Sequence, residues 1–267
     1  MSFLRWAGSK KQLGDILENC WYAAQTLGGS GRYIEAFCGS ASLFFRLKPK
    51  AGILIDVNQP LVEMYEVVKT SPRKLSALIN EFPIGESFYY ELRDSGEYQG
   101  SKLSRAARFI YLNRFCFNGL YRTNREGKFN VPFGAGRNGS LPTLDQLLQA
   151  SQSLRDVRVL NDDFSVIRKN VKKGDFVYLD PPYAKRNHSL DLQYGPDVFG
   201  VDDLSRLYSL LEYIDKKGAY FVFSYVQCDE VKEFVKTWAP FEVQVKRTIA
   251  ADISKRGRAT ELLISNI

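Results

Sequence analysis

Residues 175–185 read DFVYLDPPYAK, and this stretch decides the fold. Phe176 to Leu179 have the continuous apolar and aromatic character of a strand buried on both faces. Asp180 follows, and then Pro181 and Pro182. Proline lacks the N–H that a sheet ladder needs, so two in succession stop the strand at Asp180. What comes next is a rigid turn carrying a carboxylate, a free carbonyl and the ring of Tyr183. Such a strand end belongs at the carboxyl edge of an open α/β sheet, where ligands of these folds bind.

Outward from this strand, short β-rich runs alternate with helical patterns. The alternation predicts strands at Arg32 to Phe37, Gly52 to Asp56, Val157 to Asn161, Phe176 to Asp180, Tyr220 to Tyr225, Phe241 to Ile249 and Thr260 to Ser265. Helices are expected at Lys10 to Leu27, Ala41 to Leu47, Leu144 to Leu154, Val166 to Val171, Val201 to Lys217 and Glu230 to Trp238. This is the pattern of a doubly wound α/β domain with a seven-stranded mixed sheet. The runs FEVQVKRTI and ATELLISN, joined by the basic loop ADISKRGR, form a long hairpin at its end. Lys255, Arg256 and Arg258 in that loop suit either backbone phosphates or plain solvent.

About 100 residues separate the second strand from the third, far more than a crossover requires. The expected organisation is therefore a sheet domain from 1–57 and 143–267, with a mainly helical second domain inserted at 58–142. Within the insertion, Asn124 to Gly127 with flanking aromatics reads as a β-hairpin turn.

The chain has 267 residues, 37 Lys+Arg against 30 Asp+Glu, and a net charge of +7. With 45% hydrophobic and 25% charged residues, a sizeable core is available and disorder is excluded as a description. Four scattered cysteines without a CxxC pair, and a single histidine, His188, argue against a zinc site or a disulfide framework. They also leave little for a Ser-His-Asp triad, since His188 sits in the polar run KRNHSLDLQYGPD. The N-terminal stretch lacks the apolar core of a signal peptide, and no run approaches the roughly 18 apolar residues of a spanning helix. The expectation is a soluble protein of a reducing cytoplasm, bacterial or phage-infected, with no metal and no membrane partner.

The charge is concentrated. Between Ser101 and Ser140 stand eight cations (Lys102, Arg105, Arg108, Arg114, Arg122, Arg125, Lys128, Arg137) and one anion, Glu126, so this segment alone carries +7. A basic stretch interleaved with Phe109, Tyr111, Phe115, Phe117, Tyr121, Phe129 and Phe133 suits a polyanion whose bases can be stacked upon. Residues 103–115 have helical periodicity, and there the arginines can instead solvate an outer face. Residues 116–137 are dense in Gly, Asn and Pro, and read as a loop that enters a DNA groove.

Three strand ends bring chemistry to the sheet edge. In RYIEAFCGSAS, Glu35 and Phe37 precede a glycine turn and a helix, which either presents N–H groups to a ligand or is a plain tight turn. In GILIDVN, Asp56 lies where an acidic residue receives a ribose hydroxyl pair, though it could equally cap the next helix. At DPPY, Asp180 and the Pro181 carbonyl can accept both N–H bonds of an adenine amine. The lone pair, otherwise delocalised into the ring, then faces an incoming methyl. Tyr183 can stack on a flipped base.

The sequence resembles the Dam-type (D12 class, alpha group) DNA adenine-N6 methyltransferases. The resemblance runs through FLRWAGSK at 3–10, YIEAFCGSAS at 33–42, LIDVN at 54–58, LNRFCFNGLYR at 112–122, FNVPFG at 129–134 and DPPY at 180–183. These blocks stand in the family's order and cover nearly the whole chain. The resemblance implies a class I S-adenosylmethionine-dependent fold. Trp6 and Lys10 then flank the cofactor, with Glu35 and Phe37 in its site, Asp56 on its ribose and Asp163 and Phe164 near its adenine. Asp180, Pro181 and Tyr183 are the catalytic residues, and Asp180 touches both methyl donor and amine.

The resemblance also implies that 58–142 is a target-recognition domain for duplex DNA. Phe117 and Asn118 enter the duplex near the flipped base, Leu120 and Arg122 reach base edges, and Arg5 and Pro132 make further contacts. GATC becomes the leading site, read by a monomer with a transient dimer allowed. The chain departs from the family pattern at Ala41, where glycine is common, and at FSYV after the fifth strand, where many relatives have Ser-Asn. The competing readings are methylation of an amine in RNA or of a protein glutamine amide, and a catalytically silent DNA-binding protein. A solitary methylase, a phage enzyme and the modification half of a restriction-modification system share these motifs.

Overall fold

Seven strands form one sheet in the computed structural model, which describes residues 2–8, 10–95, 100–135, 139–184, 199–246 and 258–267. His188, Arg137, Lys255 and Arg256 lie outside the described residues. In chain order the elements are α1 (Gly14–Thr26), β1 (Arg32–Ala36), α2 (Ser42–Leu47), β2 (Ala51–Asp56), α3 (Gln59–Thr70), α4 (Pro72–Asn80), α5 (Glu86–Asp94) and α6 (Lys102–Phe115). There follow α7 (Leu144–Leu154), β3 (Val157–Asn161), α8 (Ile167–Asn170), β4 (Phe176–Leu179), α9 (Val201–Lys216), β5 (Tyr220–Val226), α10 (Lys232–Thr237), β6 (Pro240–Lys246) and β7 (Arg258–Ser265).

The strands lie in the order β3-β2-β1-β4-β5-β7-β6. The first five are parallel, and β7 runs antiparallel between β5 and β6. The chain moves outward from β1 through β2 to β3, then returns to the other side of β1 at β4. The order therefore reverses between β1 and β4, which opens a crevice at their carboxyl ends. Asp180 is the residue directly after β4, as the double proline requires.

Side chains alternate across the sheet and divide the core in two. Tyr33, Leu54, Phe176 and Tyr178 face a layer that includes Leu17, Trp21, Phe44 and Leu147. Ile34, Ile53, Ile55, Val177 and Leu179 face the opposite layer, with Leu204, Leu207, Leu211 and Phe234. Because the central strands are buried on both faces, they read as unbroken apolar runs.

The long segment between β2 and β3 builds on the first layer. Asn58 caps α3 by accepting from the Leu61 N–H at 3.1 Å, and Leu61, Met64, Tyr65 and Val68 pack into the same core as α1 and α2. Ala106, Ala107 and Ile110 of α6 join it. A second, smaller core gathers Tyr89, Tyr111, Leu112, Phe115, Cys116, Phe129 and Val131, and it anchors the loop that follows α6.

That loop is a tight turn without an extended ladder. The described pairing consists of two isolated bridges, Cys116 with Phe133 and Thr123 with Phe129. The Asn124 side chain accepts from the N–H groups of Glu126 and Lys128, and Gly127 sits at φ +78°, so the reversal is closed locally.

The four cysteines are free thiols. Among the described residues, no helix is long and apolar enough to cross a membrane.

Candidate active site

Asp180 stands at the reversal point with a side chain 19% exposed. Its Oδ1 accepts the Ser224 hydroxyl from β5 at 2.9 Å and lies 3.0 Å from the Lys10 ammonium. Burial pushes its carboxyl above the ordinary range, against the pull of Lys10. Lys10 answers in kind: burial opposes its charge, but Asp180, Tyr183 and Glu261 outweigh that and hold it protonated. Tyr183, 38% exposed, donates its hydroxyl to Glu261 Oε1 at 2.6 Å and sets its ring edge-to-face against Tyr225 at 5.4 Å. The Tyr225 hydroxyl in turn accepts the Ala184 N–H at 2.6 Å, which fixes the turn after DPPY.

The ends of β1 and β2 form the adjoining wall. Glu35 is buried and accepts the Tyr33 hydroxyl at 2.9 Å. Burial, reinforced by the nearby charges of Asp180 and Asp56, pushes its carboxyl up to about 8. Asp56 accepts the N–H groups of Gly39 and Asn58, both at 3.0 Å, and so ties the β1 turn to the start of α3. The helix cap is Asn58 itself, so the capping alternative for Asp56 falls to its neighbour.

The turn between β1 and α2 requires left-handed backbone, with Phe37 at φ +57°, Gly39 at +47° and Ala41 at +46°. At Gly39 an added Cβ would stand 2.6 Å from the Trp6 Nε1, so only glycine lets that indole lie against the turn. Ala41 meets a backbone demand that glycine satisfies without strain, which explains physically why glycine suits that position. Phe37 packs against Phe164 at 5.4 Å, and Arg206 stacks on Phe164 while pairing with Asp163.

The N-terminal segment connects this edge to the basic loop. Trp6 stacks on Tyr121 at 5.8 Å, the Arg5 N–H donates to Asn113, and the Ala7 N–H donates to the Gly119 carbonyl. Gly119, at φ +65°, lies so close to the Arg5 backbone that a Cβ would clash at 2.8 Å from the Arg5 Cβ. Phe117 is exposed, Asn118 is in the left-handed region at φ +54°, and the Pro132 carbonyl accepts the Phe117 N–H at 2.9 Å. Arg122 is exposed, and Asn130 holds its guanidinium through Nε at 2.7 Å and Nη2 at 3.2 Å. Leu120 is half-buried beside the second core.

The arginines of α6 are held by protein partners. Arg105 pairs with Glu63, Arg108 is 9% exposed and donates to the Leu92 and Arg93 carbonyls, and Arg114 donates to the carbonyls of Ser140 and Phe3. These contacts fasten the helix to its surroundings. The sequence marked Ser224 only as part of the FSYV departure, which lies within β5, and gave no sign of Glu261 or Arg206. A serine or glutamate within a strand pattern gives no sign of burial, and Arg206 lies on an ordinary amphipathic helix.

This sheet order, with Glu35 near the end of β1, Asp56 at the end of β2 and Asp180 directly after β4, is that of the class I methyltransferase fold. Within that class, residues 6–249 match the family described as D12 class N6 adenine-specific DNA methyltransferase. The chain is 34% identical to the "Type II methyltransferase M.MjaIII" of Methanocaldococcus jannaschii, covering 99% of this chain and 98% of the other. It is 31% identical to the "Type II methyltransferase M1.LlaDCHI" of Lactococcus lactis subsp. cremoris (99% and 94%) and 30% identical to the "DNA adenine methylase" of Serratia marcescens (98% and 97%). The chain belongs to the D12 class of N6 adenine-specific DNA methyltransferases.

Proposed function

We propose that the protein moves a methyl group from S-adenosylmethionine to N6 of an adenine extruded from duplex DNA, within a short site for which GATC is the leading sequence. The observation that carries this reading is the Asp180 carboxylate, fixed by Ser224 and Lys10 beside Pro181 and Tyr183 at the strand-order reversal.

The donor set fits a cationic cofactor. Glu35 lies within the field of Asp180 and Asp56, Asp180 meets the ammonium of Lys10, and burial holds all three carboxyls above the ordinary carboxylate range. Buried carboxylates raised in this way are short of positive partners. S-adenosylmethionine supplies an electrophilic methyl on a sulfonium and carries a second positive charge on its amino group. Trp6, Phe37 and Phe164 offer apolar walls, and Asp56 retains acceptor capacity for a ribose hydroxyl pair.

Asp180 and the Pro181 carbonyl accept the two N–H bonds of the adenine amine, which turns the nitrogen lone pair toward the methyl. Lys10 favours the ionised form of Asp180 against its burial, and Tyr183 supports the extruded ring. Asp180 is also placed to take the proton that the amine sheds. We assign target recognition to 58–142 and base reading to its exposed part, with Phe117 and Asn118 beside the extruded base. Leu120 and Arg122 reach base edges, Arg122 as a bidentate donor to guanine, and Arg5 and Pro132 make further DNA contacts.

Purified protein given tritiated S-adenosylmethionine and a choice of duplex DNA, RNA or protein should label duplex DNA, with N6-methyladenine as the labelled nucleoside. Label entering RNA or protein and never duplex DNA overturns the reading. Modified-base sequencing of an expressing host reads out the site.

A further inference from the structure

We infer that Glu261 is a positioning residue for methyl transfer, clamping the Tyr183 hydroxyl with one carboxylate oxygen and the Lys10 ammonium with the other. This rests on the reading that Asp180 and Tyr183 receive the adenine.

Glu261 lies on β7, paired with Val226 of β5 on one side and Val243 of β6 on the other, and is only 2% exposed. The next three residues, Leu262, Leu263 and Ile264, are all buried apolar side chains. A purely structural position in this strand would be filled better by another aliphatic residue, because a buried carboxylate is costly unless it is partnered. Its partners belong to the active site. Oε1 accepts the Tyr183 hydroxyl at 2.6 Å, and Oε2, which has no hydrogen bond, lies 3.6 Å from the Lys10 Nζ.

The remaining sides of the cluster close on the same atoms. Lys10 Nζ stands 3.0 Å from Asp180 and 3.4 Å from the Tyr183 hydroxyl oxygen. A carboxylate only accepts, so Glu261 dictates that the Tyr183 proton points toward it and leaves the phenolic oxygen to accept from Lys10. The tyrosine ring is thus fixed at its tip by Glu261 and along its edge by Tyr225. Lys10 is shared between two carboxylates and meets Asp180 on Oδ1, the oxygen that also accepts Ser224, so Glu261 helps to hold the ammonium on the side away from Oδ2.

The test is single-turnover methylation by Glu261→Gln, Tyr183→Phe and the double variant, each followed across pH, with thermal melting and cofactor affinity as folding controls. Glu261→Gln should lower the plateau rate roughly 10- to 100-fold, the range expected for a misplaced reacting group, with cofactor affinity little changed. Its negative charge disfavours the Asp180 anion. The acid limb of the rate profile should therefore move to lower pH in Glu261→Gln even as the plateau falls. The double variant should be no slower than Glu261→Gln by more than about twofold, since the hydroxyl acts through the same clamp.

An unchanged plateau, or a lowered plateau with an unmoved acid limb and additive losses, overturns the proposal. Should Glu261→Gln not fold, Tyr183→Phe alone decides: a wild-type rate overturns the clamp, and a slowed rate with unchanged DNA affinity supports it. Asp180→Ala, measured alongside, tests the underlying reading separately. If it retained the wild-type rate, the assignment of Asp180 would fail whatever Glu261→Gln does.

Discussion

At the carboxyl edge of the sheet, Glu35, Asp180 and Glu261 are packed among apolar strands and bound to Tyr33, Ser224, Tyr183 and Lys10. In the loop 116–134, Arg122, Arg125 and Lys128 stand exposed, while Phe129 and Val131 anchor the loop in the second core. One region gathers buried acidic groups; the other presents basic side chains outward from a small apolar anchor. The difference suits the proposed function, in which a cationic methyl donor would meet desolvated carboxylates and a polyanionic duplex would meet exposed cations, with the salt dependence this brings.

The contrast breaks first at Lys10. The proposed mechanism requires an ionised Asp180, whose carboxyl is already raised by burial. The wild-type rate should therefore be full above that raised value and lost as pH falls through it, at a higher pH than an ordinary aspartate would give. Lys10→Met removes the ammonium that opposes the shift. We expect a loss of about 100-fold near neutral pH, an acid limb moved upward, and partial recovery in alkaline buffer. A pH–rate profile checks this, and an unmoved limb would separate Lys10 from the ionisation of Asp180.

In the basic region, Arg122→Ala should relax discrimination at one guanine by roughly 1–3 kcal/mol. Methylation rates on duplexes substituted one base pair at a time provide the measurement. Equal weakening on every sequence would make Arg122 a phosphate contact instead.

Arg108 sharpens the comparison because it is the same residue type only 14 positions away in sequence. It is bonded to carbonyls of α5 and its C-terminal turn, so Arg108→Ala should lower folding stability by about 1.5–3 kcal/mol. Site preference should not change. Denaturant unfolding and the same duplex panel distinguish the two effects.

Much of the fold is legible in the sequence because it depends on local patterns. The double proline ends β4, and the seven strands fall within a residue or two of the apolar runs wherever they are described. Asp56 and Asp180 were legible because a strand end exposes its terminal residue to the crevice. Glu261 was not, since a glutamate in ATELLISN has the alternation of a half-exposed hairpin. Only the placement of β7 between β5 and β6 buries it. Arg108 was obscured in the same way: helical periodicity puts it on the polar face of α6, and only tertiary packing shows that the end of α5 covers that face. The 124–127 reversal was visible in its Asn and Gly, but the few bridges around it depend on packing against Phe129 and Phe133.

Single-turnover transfer by Asp180→Ala on a duplex carrying the preferred site is the most direct test of the central claim. A loss of at least about 100-fold in the rate of N6-methyladenine formation is expected, with DNA affinity changed little. A rate within a few-fold of wild type would contradict it.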